Sequence, residues 1–254
     1  MLTNAKIRQY RALKQKKYRE MYGQFMIQGR KIVSEALSIG LEPDCLIANN
    51  SIITSFPEWK KLPFFEHADD KQLSQISSLK TAPDVIAVMP VRKPTINRQK
   101  CLQNLSIGLD CIQDPGNLGA IIRIADWFGI SDIFCSKDTV DCYNPKVVQA
   151  SMGALFRVNV HYVDLPDFIE EMKTIINYPV YGTFMDGRSV YDAGISPTGL
   201  LLMGNEGQGI SDELEAYCTQ RISIPPYPQD RKDMESLNIS VATGIFCAVF
   251  RQKC

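Results

Sequence analysis

The chain has 254 residues, 45% of them hydrophobic and 22% charged, and its 28 Lys and Arg balance its 28 Asp and Glu. That apolar content excludes a disordered chain and suffices for one large domain or two ordinary ones. Zero net charge excludes a uniformly basic nucleic-acid binder but leaves room for a local basic surface.

Such a surface is visible at the start. Lys6, Arg8, Arg11, Lys14, Lys16, Lys17 and Arg19 face a single acid, Glu20. Ile7, Tyr10, Leu13, Tyr18 and Met21 recur at helical spacing, which predicts a helix over 4–22 with a cationic remainder, suited to RNA phosphates or simply to water. The opening MLTNAKIRQY lacks the apolar stretch of a secretory signal, and no run nears the ~18 apolar residues of a membrane span, so a cytoplasmic location is expected.

FMIQG (25–29) predicts a strand and RKIVSEALSIG (30–40) a helix closed by Gly40. Strands follow at 44–48, within KKLPFFEH and at 84–91, with a helix over 68–79. These make a small α/β unit over 1–91. The polar, basic stretch 92–104 is predicted as a linker. A second α/β series occupies 105–254, with strands at 105–110, 132–135, RVNVHYV, 179–184, 200–204 and 221–225. Helices are predicted over 116–130, 144–156, PDFIEEMKTII, 210–218 and 236–252. Strands alternating with helices predict a parallel sheet.

The eight cysteines form no CxxC pair, and several lie in apolar runs, so they are expected as buried thiols of a reducing compartment. His67 and His161 are isolated from acids and thiols in sequence; both are expected to be structural, and no metal site is expected.

Three strand ends run into polar or glycine-rich turns, where open parallel sheets bind ligands. In LDCIQDPGNLGAIIRIADWFG, Asn117 stands where a helix cap is expected, and Arg123 lies in an otherwise apolar helix. A lone guanidinium there either snorkels to solvent or points into a cleft. In LLLMGNEGQGISDEL, Gly204, Gly207 and Gly209 surround Glu206, with the spacing of neither a dinucleotide nor a P-loop motif. In SIPPYPQDRKDMESLNISVATGIF, Ser236 and Asn238 stand at a helix start, fit either to cap it or to meet a ligand.

Together these segments resemble the three motifs of the SpoU (TrmH-like) methyltransferases of the SPOUT superfamily. DPGNLGAIIRIADWFG resembles N-x-G-A/N-x-x-R, GNEGQGIS resembles G-x-E-x-x-G-[IL], and the third segment resembles I-P followed by S-L-N-[VI]-S-[VA]-A. The front part, FMIQGRKIVSEAL with the basic helix before it, resembles that family's RNA substrate-binding domain. The resemblance implies an α/β fold with a deep C-terminal trefoil knot, a homodimer, and S-adenosylmethionine as cofactor. The implied reaction is methyl transfer to a ribose 2′-hydroxyl of structured RNA, ribosomal RNA before tRNA. Carried over, Asn117, Arg123, Glu206, Ser236 and Asn238 are the catalytic positions, and Thr183, Gly204, Ile224 and Leu237 the cofactor contacts. The rival classes are a methyltransferase acting on a base nitrogen of tRNA and a non-catalytic RNA-binding module. The chain departs from the family in the long charged segment 226–235, expected to flank the cofactor cleft, and in Gln28, where the family has glutamate.

Overall fold

A computed structural model describes residues 2–228 and 235–252. In chain order the elements are α1 (Asn4–Ala12), α2 (Lys16–Tyr22), β1 (Gln24–Gln28), α3 (Arg30–Ser38), β2 (Cys45–Ala48), α4 (Asn50–Ser55), β3 (Phe65–His67), α5 (Asp70–Ile76), β4 (Val85–Pro90), α6 (Arg98–Gln103), β5 (Leu105–Leu109), α7 (Pro115–Trp127), β6 (Asp132–Cys135), α8 (Pro145–Ser151), β7 (Asn159–Tyr162), α9 (Leu165–Ile175), β8 (Val180–Ser189), β9 (Gly199–Met203), α10 (Asp212–Glu215), β10 (Gln220–Ser223) and α11 (Ile239–Gln252). They group into two compact units, 1–92 with 143–153, and 93–142 with 154–254.

The first unit holds a four-stranded mixed sheet ordered β1-β4-β2-β3, in which only β2 and β3 are parallel. Its core joins Leu2, Ile7, Tyr10 and Leu13 to Met26, Ile47, Leu73, Ile76, Ile86 and Val88. The helix predicted over 4–22 is two helices. It breaks after Leu13, which is buried, and the buried Arg19 guanidinium donates to the freed carbonyls of Leu13 (2.9 Å) and Lys14 (3.0 Å). Arg19 therefore serves the fold, and Lys6 is paired with Glu66. The cationic surface is correspondingly smaller than the sequence count.

Gln28 is also structural. It is buried, its Oε1 accepts from the Ser77 hydroxyl (2.9 Å) and the Ser78 amide (3.0 Å), and its Nε2 donates to Ser78 Oγ. Segment 143–153 completes this unit: the Tyr143 ring packs 4.5 Å from Phe25, and its hydroxyl donates to the Arg92 carbonyl at 2.8 Å.

The second unit carries the expected parallel sheet, six strands ordered β10-β8-β9-β5-β6-β7 with every pair parallel. β5, β6 and β9 are buried throughout, which explains their largely apolar sequences, interrupted only by the buried Ser106 and Asp132. Part of the stretch predicted as a linker is α6, capped by Asn97 and anchored by the buried Cys101. The spacing of Cys101 from Leu105 hid it, because one buried residue gives no periodicity.

His161 is structural, as expected: it is buried, stacks on Phe134 and bonds Asp132 Oδ1 through Nε2 at 2.9 Å. Burial pushes the Cys45, Cys101 and Cys218 thiols up to about 11, which keeps them protonated and unreactive.

Candidate active site

Because all six strands are parallel, the carboxyl ends of β10, β8, β9 and β5 lie side by side along one edge of the sheet. The three motif segments all leave from this edge or return to it. Their positions follow from local chemistry. After β5, Asp114 caps α7, its carboxylate accepting from the Asn117 amide at 2.8 Å, and Pro115 opens the helix. Asn117 is thus in the first turn of α7 and is not its cap, which corrects the sequence expectation and leaves its side chain available.

That side chain lies at the centre of a hydrogen-bond chain. Asn117 Nδ2 donates to Glu206 Oε1 (2.7 Å), and Asn238 Nδ2 donates to Asn117 Oδ1 (3.0 Å). Asn238 Oδ1 accepts from the amides of Ser240 (3.0 Å) and Val241 (3.4 Å) and from the Ser240 hydroxyl (2.7 Å). Capping and active-site presentation, alternatives in the sequence, are therefore combined in Asn238. The direction of the chain is set at both ends. Helix amides can only donate and a carboxylate only accept, so each amide between them has one orientation.

Arg123 stands six residues beyond Asn117 on α7. Its side chain is exposed and has no hydrogen-bond or ion-pair partner among the described residues. The guanidinium thus reaches solvent, where a charged ligand can meet it. Ser236 is exposed as well and makes no hydrogen bond among the described residues.

The expected cofactor positions are dispersed along the same edge. Gly204 follows β9 directly, where a Cβ would meet the backbone of Gly209 and Ile210 at 2.1 Å, so the 204–210 loop can close on itself only with glycine there. Ile224, half-buried, follows β10, and Leu237 keeps 47% of its surface exposed beside Asn238. Exposed apolar surface next to backbone and amide groups fits an adenosyl cofactor. Thr183 differs from expectation in one respect, since its hydroxyl donates to the Leu202 carbonyl (3.1 Å) and stitches β8 to β9. Of segment 226–235, residues 229–234 lie outside the described residues.

Two residues that the motifs did not single out hold this geometry. Asn205 Nδ2 donates to the Cys111 carbonyl (2.8 Å), while its Oδ1 accepts from the amides of Gly207 (2.9 Å) and Gln208 (3.1 Å). The buried Asp110 accepts from the Ser211 amide at 2.8 Å. The loops after β5 and β9 are thereby fastened together on both sides of Glu206. Polar residues inside the second motif and just before the first were the only sequence signal for them.

A model of the SpoU rRNA Methylase family matches residues 104–248, and a model of the MRM3-like substrate binding domain matches 4–87. The chain is similar to the 23S rRNA (guanosine(2553)-2′-O)-methyltransferase RlmP of Bacillus subtilis (strain 168), with 31% identity covering 95% of this chain and 94% of that protein. Among solved structures, a TrmH-family chain from Porphyromonas gingivalis superposes with a TM-score of 0.85 at 32% identity, covering 100% of each chain. An AdoMet-bound rRNA methyltransferase from Sinorhizobium meliloti superposes with a TM-score of 0.85 at 29% identity, covering 99% of this chain and 96% of that one. With its three motifs converging on one edge of a six-stranded parallel sheet, this chain belongs to the SpoU rRNA methylase family.

Proposed function

We propose that this protein transfers the methyl group of S-adenosylmethionine to a ribose 2′-hydroxyl of ribosomal RNA. The observation that carries the proposal is the hydrogen-bond chain Asn238–Asn117–Glu206, which draws one residue from each motif segment into a single polar cluster. RlmP, named as a 23S rRNA 2′-O-methyltransferase, supports the substrate class.

When bound, the sulfonium cofactor supplies an electrophilic methyl carbon and leaves as a neutral thioether. Gly204, Ile224 and Leu237, with Thr183 behind them, would hold it at the strand ends. The chain's remaining task is to position the ribose and to favour loss of its hydroxyl proton. Asn117 and Asn238 each use one amide hydrogen within the chain and retain another for a ribose oxygen. Glu206 Oε1 takes the Asn117 hydrogen, and the carboxylate keeps further acceptor capacity. Arg123 suits a bidentate grip on the phosphate beside the target ribose. A guanidinium stays charged and is a poor proton acceptor by itself. Ser236, at the same helix start as Asn238, adds a hydroxyl.

The division of labour places RNA recognition in 1–91 and methyl transfer in 105–254. A homodimer is part of this proposal, supported by apolar surface on two packed helices: Trp127 on α7 is 85% exposed and Val241 on α11 is 52% exposed. Sedimentation showing a stable monomer at micromolar concentration would refute it. The deep trefoil knot is part of the same proposal and is supported by membership of the SpoU family. Among the described residues no helix is long and apolar enough to cross a membrane. A cytoplasmic site of action is part of the proposal, supported by the free thiols of the described cysteines, which suit a reducing compartment.

The test is methyl transfer from labelled cofactor to unmodified ribosomal RNA and tRNA side by side, followed by nucleoside mass spectrometry. The methyl should stay with the sugar after glycosidic cleavage and should block alkaline hydrolysis at that nucleotide. A methyl retained on the base would eliminate ribose chemistry. Cofactor binding without transfer to either RNA would favour a non-catalytic module.

A further inference from the structure

We propose that α2 and the turn before it form a stacking platform for an unpaired nucleotide of the RNA, with Tyr22 as its aromatic face. The proposal rests on the RNA-methyltransferase function above and concerns a surface in the first unit that the motifs do not include.

The Tyr18 and Tyr22 rings stack one helical turn apart, with centroids 6.3 Å apart and planes 15° from parallel. Lys17 Nζ lies 5.9 Å from the Tyr18 centroid. Tyr22 nevertheless remains 39% exposed, and its neighbour Met21 is 69% exposed. Gly23, with φ +62°, ends α2 directly after Tyr22, and nothing lies within 4 Å of the position a side chain would take there. The end of the helix therefore offers an aromatic ring, a thioether and open space.

Cations cluster on the turn before α2 and on the helix's own first turn, beside Tyr18. Arg11, Lys16 and Lys17 are exposed and Lys14 is half-buried. Burial and the charge of Arg11 lower the pKa of the Lys14 ammonium, a sign that cations are crowded there. Glu20 is the lone acid of α2, held loosely by Lys16 at 3.9 Å. The buried Arg19, bonded to the carbonyls of Leu13 and Lys14, fixes the turn that presents these cations to solvent. Aromatic faces combined with cations are the physical basis of single-strand recognition: each base brings a π-face and each nucleotide a phosphate. A base within a duplex has both faces covered by its neighbours, so this surface favours unpaired RNA.

The full-length chain is titrated with a short labelled oligouridine and with a blunt RNA duplex of equal length, across a salt series. Tyr22→Ala is expected to weaken oligouridine binding about tenfold without changing the salt slope, because stacking releases no counterions. Tyr22→Phe keeps the ring and should bind like wild type. Replacing Lys16 and Lys17 with Gln should lower the slope by about two. Duplex affinity should be the same for wild type and Tyr22→Ala. The platform is overturned if Tyr22→Ala binds oligouridine as wild type does, if duplex and oligouridine lose affinity equally, or if polyglutamate displaces oligouridine as readily as unlabelled RNA does. A wild type that methylates RNA while Tyr22→Ala is indistinguishable in binding removes the platform alone. A wild type that neither binds nor methylates RNA removes the RNA function with it.

Discussion

The side chain of Asn117 donates to Glu206 Oε1 at 2.7 Å, joining residues 89 positions apart in the chain. This contact ties the loop after β5 to the loop after β9, and the Asn238 amide continues it to the start of α11. Glu206→Gln preserves shape and an acceptor for Asn117 but removes the charge. A hydrogen bond to a charged group is worth about 1 kcal/mol more than a neutral one, so methyl transfer should fall about fivefold. Cofactor affinity by calorimetry should remain near wild type. An unchanged single-turnover rate would show that the charge is dispensable.

Arg123 tests the phosphate clamp. Arg123→Lys retains the charge and loses the planar fork, so activity should drop about tenfold or more without vanishing. Its RNA salt dependence should match wild type, whereas Arg123→Gln should reduce the salt slope by about one. Full activity in Arg123→Lys would defeat the clamp. A steep pH dependence with a displaced midpoint would instead favour a direct role in proton transfer.

Asn205 performs two tasks that one substitution can separate. Asn205→Asp keeps an oxygen for the Gly207 and Gln208 amides but places a carboxylate against the Cys111 carbonyl. Losing such a bond costs about 1–3 kcal/mol. If Asn205 positions Glu206, kcat should fall about tenfold in both Asn205→Asp and Asn205→Ala, while Asn205→Ala, which also loses the turn, melts at the lower temperature. Rates that simply follow melting temperature would reduce Asn205 to a stabilising residue.

Acid stability should depend on Asp132. Burial by itself would raise its pKa, but hydrogen bonds from His161, Ser131 and Asn159 and the charge of Lys100 outweigh that and hold it at about 2, below its ordinary 3.8. A depressed carboxylate stabilises the fold above its unfolded pKa, and the gain is lost as pH falls through the folded value. The contribution is about 2 kcal/mol, lost between roughly pH 4 and 2. Urea titrations should show Asp132→Asn less stable than wild type at pH 5, with the gap narrowing over that window. A constant gap would mean that the carboxylate contributes through packing alone.

The basic N-terminus shows why structure must guide such experiments. Charge counting suggests deleting residues 1–20, but Leu2, Ile7, Tyr10 and Leu13 belong to the core of the first unit. Deletion would remove core and cations together, so substitutions at exposed Arg11, Lys16 and Lys17 are the cleaner probe.

Local sequence by itself determined the elements whose signal is periodic or continuous. LLLM had to be a strand buried on both faces, and GNLGAIIRIADW had to be a helix, because apolar residues of that spacing leave little else to bury. The motif spacings also identified Asn117, Glu206 and Asn238 as polar residues at strand ends and helix starts. Only the tertiary structure decided how they are used. Asp114 rather than Asn117 caps α7, because its carboxylate reaches the Asn117 amide and Asn117's own side chain finds a stronger partner in Glu206. α1 and α2 separate because a buried Arg19, counted as one more surface cation in sequence, satisfies the carbonyls at the break. The latches at Asn205 and Asp110 span 94 and 101 residues, and segment 143–153 joins a unit whose other residues all precede position 93. Spacing along a chain reports contacts within a few residues; partners this distant are selected by strand order and register, which exist only once the sheet has formed.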